Sequence, residues 1–281
     1  MALNQACVGK TYPSSVFDAS LESMQAYARA YNDDNRAFFD TNRPGGIIAP
    51  PLYAVVATWP AVMGSMADPE LNVDLVRLLH SEQDMEFFRP ILPGDKITST
   101  AKIASIETRS NGETMVVELL ARNQRDEAVT RILFTIFIRG RNRGAAEARA
   151  TEPEHAAQIL SIAQTIDKDQ TFRYRDASGD PNPIHVDENF AKMAGLPGII
   201  VHGLCTMAFT SKVIIDNLCG GDPARLKRLR VRFSRPVFPG QVITTKVWED
   251  GERGGRKIYG YETLNADAQA VIKGGIAEVS A

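Results

Sequence analysis

The distribution of apolar residues predicts one buried helix and several strands in each half of the chain. Apolar residues at spacings of three to four indicate a buried helical face; they are Leu204, Met207, Ala208, Ile214, Ile215 and Leu218. Short β-rich runs separated by turns follow at residues 229–234, 241–249, 257–263 and 270–279. Residues 96–107, 114–122 and 129–139 repeat that pattern in the first half. We therefore predict an α+β fold, in which Pro60 shortens or kinks the first helix.

Three ordered matches indicate that the chain contains the same unit twice. Residues 27–35 resemble residues 174–182, and in both segments Asp and Asn occupy the seventh and ninth positions. The other two matches pair residues 46–52 with 198–204 and residues 89–94 with 235–240. The three offsets are 147, 152 and 146, and such nearly equal offsets rarely arise by chance. We therefore predict a duplicated domain, with units at residues 1–140 and 155–281 and a polar linker at residues 141–154.

The composition is that of a globular protein and narrows the range of partners. The 281 residues are 44% hydrophobic and 23% charged, and the net charge of -2 gives no global reason to expect nucleic acid. The three cysteines, Cys7, Cys205 and Cys219, lack metal-ligand spacing, which favours a reducing compartment. We find neither a signal peptide nor an apolar run of membrane-spanning length. We expect a cytoplasmic protein that binds neither nucleic acid nor a membrane.

One short loop carries the polar groups best suited to acid–base chemistry. Asp180, Asn182 and His185 lie within six residues, and prolines between them restrict where their side chains can point. A carboxylate and an imidazole that meet at one water can orient it and move its proton, while the amide of Asn182 holds the carboxylate. Gly203 begins the apolar helix, where a backbone N–H lacks an intrahelical partner and can approach a carbonyl oxygen closely.

Other interpretations of these residues remain open. Asp-Pro-Asn-Pro by itself is also a common turn. His185 and Asp187 could begin a metal site, but no third ligand is evident nearby, so we expect no metal. We expect Asp187 to cap the helix that follows it. His202 fits a hydrogen-bonding neighbour that orients the site better than it fits a reactant.

The loop and the glycine resemble the MaoC-like family of (R)-specific enoyl-CoA hydratases. That family's loop reads Ser-Gly-Asp-x-Asn-Pro-Ile/Leu-His-x-Asp and is followed by Ile-x-His-Gly. Residues 178–187 and 200–203 match it at every fixed position. Residues 79–90 also resemble the first half of 2-enoyl-CoA hydratase 2, the two-repeat form that also occurs within peroxisomal multifunctional enzyme type 2. The resemblance implies a double hot-dog fold: two sheets, each wrapped around its own helix, and one active site per chain.

The resemblance also implies a role for each site residue. Asp180 and His185 would be the catalytic pair that holds the water, with Asn182 orienting them. The Gly203 N–H would bind the thioester oxygen. Phe233 and Ile184 are implied as substrate contacts in the acyl-CoA site.

The first repeat lacks the groups that this chemistry requires. It keeps Asp33 and Asn35, but no histidine follows them, and Pro51 stands at the position of Gly203. A proline has no N–H to donate to an oxyanion. We therefore predict that the N-terminal half is catalytically silent and makes room for the acyl chain. The candidate lining residues are Ile47, Ile48, Leu52 and Tyr53.

Taken together, the loop and the resemblance predict reversible hydration of a trans-2-enoyl-CoA to a (3R)-3-hydroxyacyl-CoA. Neither a metal nor a redox cofactor is expected, since coenzyme A is part of the substrate. A hot-dog acyl-CoA thioesterase and a non-catalytic acyl-CoA-binding module are the alternatives, and acyl carrier protein could replace coenzyme A. The resemblance implies a homodimer. A basic run could meet the phosphates of coenzyme A or form a solvated strand edge; it comprises Arg225, Lys227, Arg228, Arg230 and Arg232.

Overall fold

The computed structural model describes residues 2–75, 77–140 and 156–281, so the predicted linker at residues 141–154 lies outside the described part. The described part holds the predicted mixture of helices and antiparallel strands, which confirms the α+β class. The first half contributes β1 (Ser15–Asp18), α1 (Leu21–Ala30), α2 (Arg36–Phe39), α3 (Ala54–Met66), β2 (Leu78–Phe87), β3 (Lys96–Arg109), β4 (Gly112–Arg122) and β5 (Ala128–Arg139). The second half contributes β6 (Gln158–Thr165), α4 (Gln170–Ser178), α5 (Glu188–Met193), α6 (Gly203–Leu218), β7 (Leu226–Phe233), β8 (Val242–Arg253), β9 (Arg256–Leu264) and β10 (Ala270–Ser280).

The ten strands form one antiparallel sheet in which the two halves follow the same order. Along the sheet the strands run β1-β3-β4-β5-β2-β7-β10-β9-β8-β6, so each half reads outward in the same sequence from the central β2–β7 pair. Asp84 lies opposite Arg230 in that pair, and these residues correspond across the 146-residue offset. A pseudo-twofold axis therefore passes through the junction of the halves.

A long helix packs against the sheet in each half. In the first half α3 contacts β1, β3 and β4, and in the second half α6 contacts β7 and β10. Helix α3 has 13 residues and includes Pro60, whereas α6 has 16 residues. A 3-10 turn at Pro51–Tyr53 precedes α3, where the second half is already α-helical. The prediction that the first helix is the shorter one is confirmed. None of the helices in the described residues is both long and apolar enough to span a membrane.

The two halves also meet through their first helices. The hydroxyls of Tyr27 on α1 and Tyr174 on α4 are 2.9 Å apart, and both side chains are fully buried. These two residues correspond across the repeat, so the contact lies at the pseudo-twofold axis. The hydrogen bond between these equivalent tyrosines joins α1 to α4, and the two loops that follow these helices therefore start from a common core.

The basic run lies in the middle of the sheet, where most of its charges are paired. Strand β7 lies between β2 and β10, so the expectation of a solvated strand edge is wrong. Arg228 forms ion pairs with Asp84 at 2.7 Å and with Glu278 at 3.1 Å, and Arg230 pairs with Glu82 at 3.1 Å. These cross-strand pairs hold the guanidinium groups against the sheet and leave them poorly placed to bind phosphates.

Candidate active site

One large cavity brings together most of the residues that the sequence singled out. Its volume is about 560 Å³, and both halves of the chain contribute to its wall. Seven of the eight predicted site residues line it, and they are Asp180, Asn182, Ile184, His185, His202, Gly203 and Phe233. The eighth, Tyr53, does not. The loop and the glycine therefore share one apolar chamber, although 17 residues separate His185 from His202.

Two nested turns position the loop. Helix α4 ends at Gly179, whose φ of 74° is in the left-handed region that glycine adopts without strain. The Asn182 N–H then donates to Oδ1 of Asp180 at 3.1 Å, and the Ile184 N–H donates to Oδ1 of Asn182 at 3.3 Å. The side-chain oxygen of Asn182 thus caps the 3-10 turn Pro183–His185, and it is the backbone N–H of Asn182 that contacts the Asp180 carboxylate. The prediction that the side-chain amide of Asn182 holds the carboxylate is wrong, because the cap already occupies that side chain.

Helix α5 starts directly after this loop. The Asp187 Oδ1 accepts the N–H groups of Asn189 and Phe190 at 2.8 and 3.0 Å. Its predicted role as a capping residue is confirmed.

The imidazole of His185 is held as a neutral base. Its Nδ1 is 2.8 Å from the carbonyl oxygen of Ile200, which can only accept, so Nδ1 carries the proton and Nε2 keeps its lone pair. Burial lowers the pKa of His185, while the Ile200 carbonyl and the charge of Asp180 act in the opposite direction. The ring is only 7% exposed. An unprotonated nitrogen beside a carboxylate in a cavity is suited to taking a proton from water.

A second histidine lies against the first. The rings of His185 and His202 are stacked, with centroids 3.7 Å apart and an interplanar angle of 24°. Burial lowers the pKa of His202 to about 2, so this ring is neutral at physiological pH. Its Nε2 is buried and has no hydrogen-bond partner among the described residues. His202 therefore supplies a neutral, well-packed surface that holds the His185 ring from one side.

The stack also bears on metal binding. Asp180, His185 and His202 offer ligand atoms that all lie within 4.8 Å of one another, so a third potential ligand does exist near His185. The sequence-based statement that none is evident is wrong, because the fold brings His202 next to the loop. Imidazole lone pairs lie in the ring plane, and two rings stacked 3.7 Å apart at 24° keep their lone pairs in separate, nearly parallel planes, whereas one tetrahedral ion needs a point that lies in both planes. The arrangement suits proton transfer better than it suits a metal ion.

Gly203 opens α6 beside the two histidines. As the first residue of the helix, it has an N–H without an intrahelical acceptor, and the preceding residue provides no side-chain cap. A Cβ at this position would meet ring atoms of Phe233 at 3.2 to 3.4 Å. The aromatic ring thus covers Gly203 closely, and the glycine leaves its N–H accessible to a ligand oxygen.

The N-terminal half supplies the apolar part of the cavity, but through other residues than those predicted. The wall is formed mainly by α3, by Leu75 and by the first residues of β2. The lining residues are Trp59, Val62, Met63, Met66, Leu75, Leu78 and Leu79. Of the four candidate lining residues, Ile47, Ile48, Leu52 and Tyr53, none lines it. Tyr53 is fully buried and packs edge-on against Phe17 and Tyr27, because the 3-10 turn points it into the core of its own half. The signal available in the sequence was the largely apolar run at residues 54–66. In the structure this run is α3, and its Met63 is 45% exposed.

His80 is a cavity residue to which the sequence analysis assigned no role. Its ring stacks on Phe134 with centroids 4.1 Å apart and meets Phe233 edge-on at 5.0 Å. Its Nε2 lies 3.1 Å from both the Glu82 carbonyl and the Gln83 side-chain oxygen. Burial lowers the pKa of His80 to about 4, so the ring is neutral and braces Phe233.

Comparison with known proteins gives a match to each half. The family model described as MaoC like domain matches residues 150–270, and the FAS1-like dehydratase domain region matches residues 6–132. Over 239 residues the chain is 31% identical to 3-hydroxyacyl-thioester dehydratase Y of Mycobacterium tuberculosis, covering 81% of this chain and 80% of that protein. The chain belongs to the MaoC-like dehydratase family.

Other relatives of this MaoC-like chain carry hydratase names. It is 29% identical to probable enoyl-CoA hydratase 2 of Dictyostelium discoideum over 213 residues, which is 74% of this chain and 71% of that protein. It is 30% identical to mouse peroxisomal multifunctional enzyme type 2 over 214 residues, which is 72% of this chain and 28% of the mouse protein. The chain therefore spans little more than a quarter of that multidomain relative.

Solved structures confirm the fold. A MaoC-like dehydratase from Phytophthora capsici superposes with a TM-score of 0.82 at 25% identity, covering 99% of this chain and 98% of that one. A Mycobacterium tuberculosis protein described as having a double hotdog fold superposes with a TM-score of 0.64 at 13% identity, covering 97% and 96%. The predicted double hot-dog fold and the family resemblance are both confirmed.

The first repeat of this MaoC-like chain keeps the loop geometry. The Asn35 N–H donates to Asp33 Oδ1 at 3.0 Å and the Ala37 N–H donates to Asn35 Oδ1 at 2.9 Å, as in the second repeat. The Ile48 N–H donates to the Ala37 carbonyl at 3.0 Å, which matches the Ile200 to Ile184 bond of 3.3 Å. The two Asx turns therefore belong to the fold of the repeat.

The first repeat lacks the reactive groups on that same backbone. Phe38 occupies the place of His185, and Pro50 and Pro51 occupy those of His202 and Gly203. Asp33 is buried, with its Oδ1 3.5 Å from the Nζ of Lys212. The corresponding cavity, beside Pro50 and Pro51, measures only about 70 Å³.

Proposed function

We propose that the chain catalyses the reversible hydration of a trans-2-enoyl-CoA to a (3R)-3-hydroxyacyl-CoA. The observation that carries this proposal is the meeting of Asp180, His185 and the Gly203 N–H in one cavity, with none of these reactive contacts present in the duplicate loop. Relatives named enoyl-CoA hydratase 2 and 3-hydroxyacyl-thioester dehydratase support it. The (R) configuration is carried over from the family.

We assign each group a step in this reaction. A water between Asp180 and the Nε2 of His185 adds its oxygen to C3, while the C2–C3 π electrons move toward the thioester oxygen. The Gly203 N–H, at the positive end of α6, stabilises the enolate oxygen that develops. The proton that the water loses to the pair is then delivered to C2, which regenerates the neutral imidazole. Because burial lowers the pKa of His185, the imidazole is unprotonated when the water arrives.

The test is the replacement of each member of the pair. Asp180→Asn and His185→Gln keep the shape of the side chains and should each lower kcat by roughly a thousandfold, since acid–base groups contribute about 10²–10⁴. Asp33→Asn in the silent loop is the matched control and should retain turnover. Loss of the enoyl absorbance measures hydration, and circular dichroism checks folding. Turnover of either catalytic variant within a few-fold of wild type would reject this mechanism.

The same assay separates the alternative activities. Release of free coenzyme A from a saturated acyl-CoA, without hydration of the enoyl-CoA, would assign the chain as a thioesterase. Tight binding of enoyl-CoA without any turnover would assign it as a binding module. A parallel series with acyl carrier protein thioesters would identify the carrier.

We further propose a homodimer that acts in the cytoplasm without metal or redox cofactor. The dimer is supported by the family resemblance. The compartment is supported by Cys7, Cys205 and Cys219, which are all free and buried. Sedimentation equilibrium tests the dimer, and turnover after dialysis against a chelator tests independence from metal. A monomer, or loss of activity that added metal restores, would overturn the respective proposal.

A further inference from the structure

A buried threonine connects the backbone of the catalytic loop to the second histidine. Thr171 lies in the first turn of α4 and is 0% exposed. Its Oγ1 is 2.7 Å from the carbonyl oxygen of His185, 3.4 Å from that of Ile200 and 3.4 Å from Nδ1 of His202. A single hydroxyl thus lies at the meeting point of the helix, the 3-10 turn and the segment that leads into α6.

The direction of these hydrogen bonds can be worked out. A threonine hydroxyl donates one proton, and the shortest contact is to the His185 carbonyl, which can only accept. The oxygen of Thr171 is then left as an acceptor for Nδ1–H of His202. This order places the His202 proton on Nδ1. The backbone of Asp180 also acts on the His202 ring and raises its pKa, while the contact with Thr171 is what holds the proton on Nδ1. His185 also carries its proton on Nδ1, so both stacked rings share one tautomer.

The duplication supplies an internal control for this hydroxyl. At the 147-residue offset that aligns Tyr27 with Tyr174, Met24 takes the place of Thr171 and is likewise fully buried. The silent loop still forms its turns and its Ile48 to Ala37 hydrogen bond. Folding of the loop therefore needs no hydroxyl at this position. The hydroxyl occurs in the half that carries the histidines.

We infer that Thr171 is a positioning residue that sets the location of the His185 ring and the tautomer of His202 for the proposed hydration. This inference rests on the proposed function. Thr171 acts on His185 through that residue's own carbonyl, and on the stacked partner through Nδ1. Removing the hydroxyl frees the turn to shift by a fraction of an ångström, and misplacement of a reacting group on that scale lowers rates steeply.

The experiment compares Thr171→Val, which keeps the shape and loses the hydroxyl, with Thr171→Ser, which keeps the hydroxyl. We expect Thr171→Val to lower kcat on the order of 10-fold, with KM for the enoyl-CoA within about 2-fold, from the loss of one buried hydrogen bond. Thr171→Ser should restore most of kcat. Thr58→Val is the matched control, because it removes a buried helical hydroxyl that bonds the Ala54 carbonyl at 2.9 Å, outside the cavity lining.

A second readout does not depend on turnover. Imidazole ¹⁵N shifts should report Nδ1–H for His202 in the wild type and in Thr171→Ser, and conversion toward Nε2–H in Thr171→Val. Wild-type kcat together with an unchanged His202 tautomer in Thr171→Val would overturn the inference. Equal losses in Thr171→Val and Thr171→Ser, together with lowered melting temperatures, would also overturn it by assigning a purely structural role. If the wild type fails to hydrate any enoyl-CoA, the proposed function fails, and the tautomer measurement still decides the role of Thr171.

Discussion

Replacing Gly203 by proline tests the proposed oxyanion donor, and the fold itself indicates that this variant will be tolerated. In the first repeat the same position is Pro51, and its preceding residue, Pro50, has φ -53° and ψ 139°. The residue before Gly203 is His202, with φ -55° and ψ 134°. Those angles are the extended values that a residue before proline prefers, and proline is favoured at the first position of a helix. Gly203→Pro therefore removes one N–H while leaving the backbone path unchanged.

The expected loss of kcat follows from separating the effect of the added Cβ from the effect of the lost N–H. Any side chain at this position brings a Cβ to within 3.2 to 3.4 Å of the Phe233 ring, so that ring must move by a few tenths of an ångström. Gly203→Ala carries the same Cβ and keeps the N–H, which makes it the matched control. Loss of one oxyanion donor costs about 3 kcal/mol, or on the order of 10²–10³ in kcat. Gly203→Pro should therefore be slower than Gly203→Ala by that factor.

The assay follows the ultraviolet absorbance of the conjugated enoyl thioester under saturating substrate. Melting temperature and circular dichroism establish that both variants are folded, and the dissociation constant of the product is measured separately. A kcat for Gly203→Pro within a few-fold of that for Gly203→Ala, in two folded proteins, would refute the assignment of the Gly203 N–H as the oxyanion donor.

Three further predictions concern stability and specificity. His80→Leu, which copies Leu226 of the other half, should make the free energy of unfolding less sensitive to acid. Burial lowers the pKa of His80 to about 4, so below pH 6.5 the unfolded chain binds this proton before the folded chain does. In urea unfolding the variant should lose about 1–2 kcal/mol less than wild type between pH 7 and pH 5. Trp59→Ala should raise KM for long-chain enoyl-CoAs by roughly 10-fold and leave the shortest ones unaffected, since Trp59 lines the apolar wall; equal changes for all chain lengths would contradict this. Lys212→Met should lower the free energy of unfolding in urea by about 2–4 kcal/mol, because it leaves the buried Asp33 without a nearby positive charge. Adding Asp33→Asn should recover part of that loss, whereas additive effects of the two substitutions would show that the pair is not coupled.

Local patterns predicted the loop well because its geometry is local. The segment from Asp180 to His185 folds through side-chain to backbone hydrogen bonds two residues apart, so its turns depend on little outside the segment. The repeat added a comparison within one chain: Asp33 and Asn35 form the same turns without the chemistry. An Asp and an Asn at this spacing thus indicate the fold, and the histidine and glycine that follow indicate the reaction.

The residues that were missed come from elements that only the tertiary structure brings to the loop. Trp59 and Met63 lie more than a hundred residues before Asp180, and nothing in the repeat says which helix faces which loop. Tyr53 was expected in the cavity as one of four candidate lining residues of the first half. The 3-10 turn that contains it rotates its side chain into the core. Thr171 was missed for a similar reason, since a threonine on a helix carries no signal until its carbonyl partner is located.

The pseudo-twofold axis also places the two corresponding aspartates in different charge environments. Each loop faces the long helix of the other half: Asp33 lies against Lys212 of α6, and Asp180 shares its cavity with Trp59 and its neighbours on α3. At the offset of 152 residues that aligns these helices, the counterpart of Lys212 is Pro60. In the silent copy Lys212 therefore places a positive charge 3.5 Å from Asp33, while it also pairs with Asp34 and Asp216. In the other copy a proline at the corresponding place carries no charge. A lysine and a proline at corresponding positions therefore give Asp33 and Asp180 different surroundings, in addition to the histidine and glycine that the second loop carries and the first lacks.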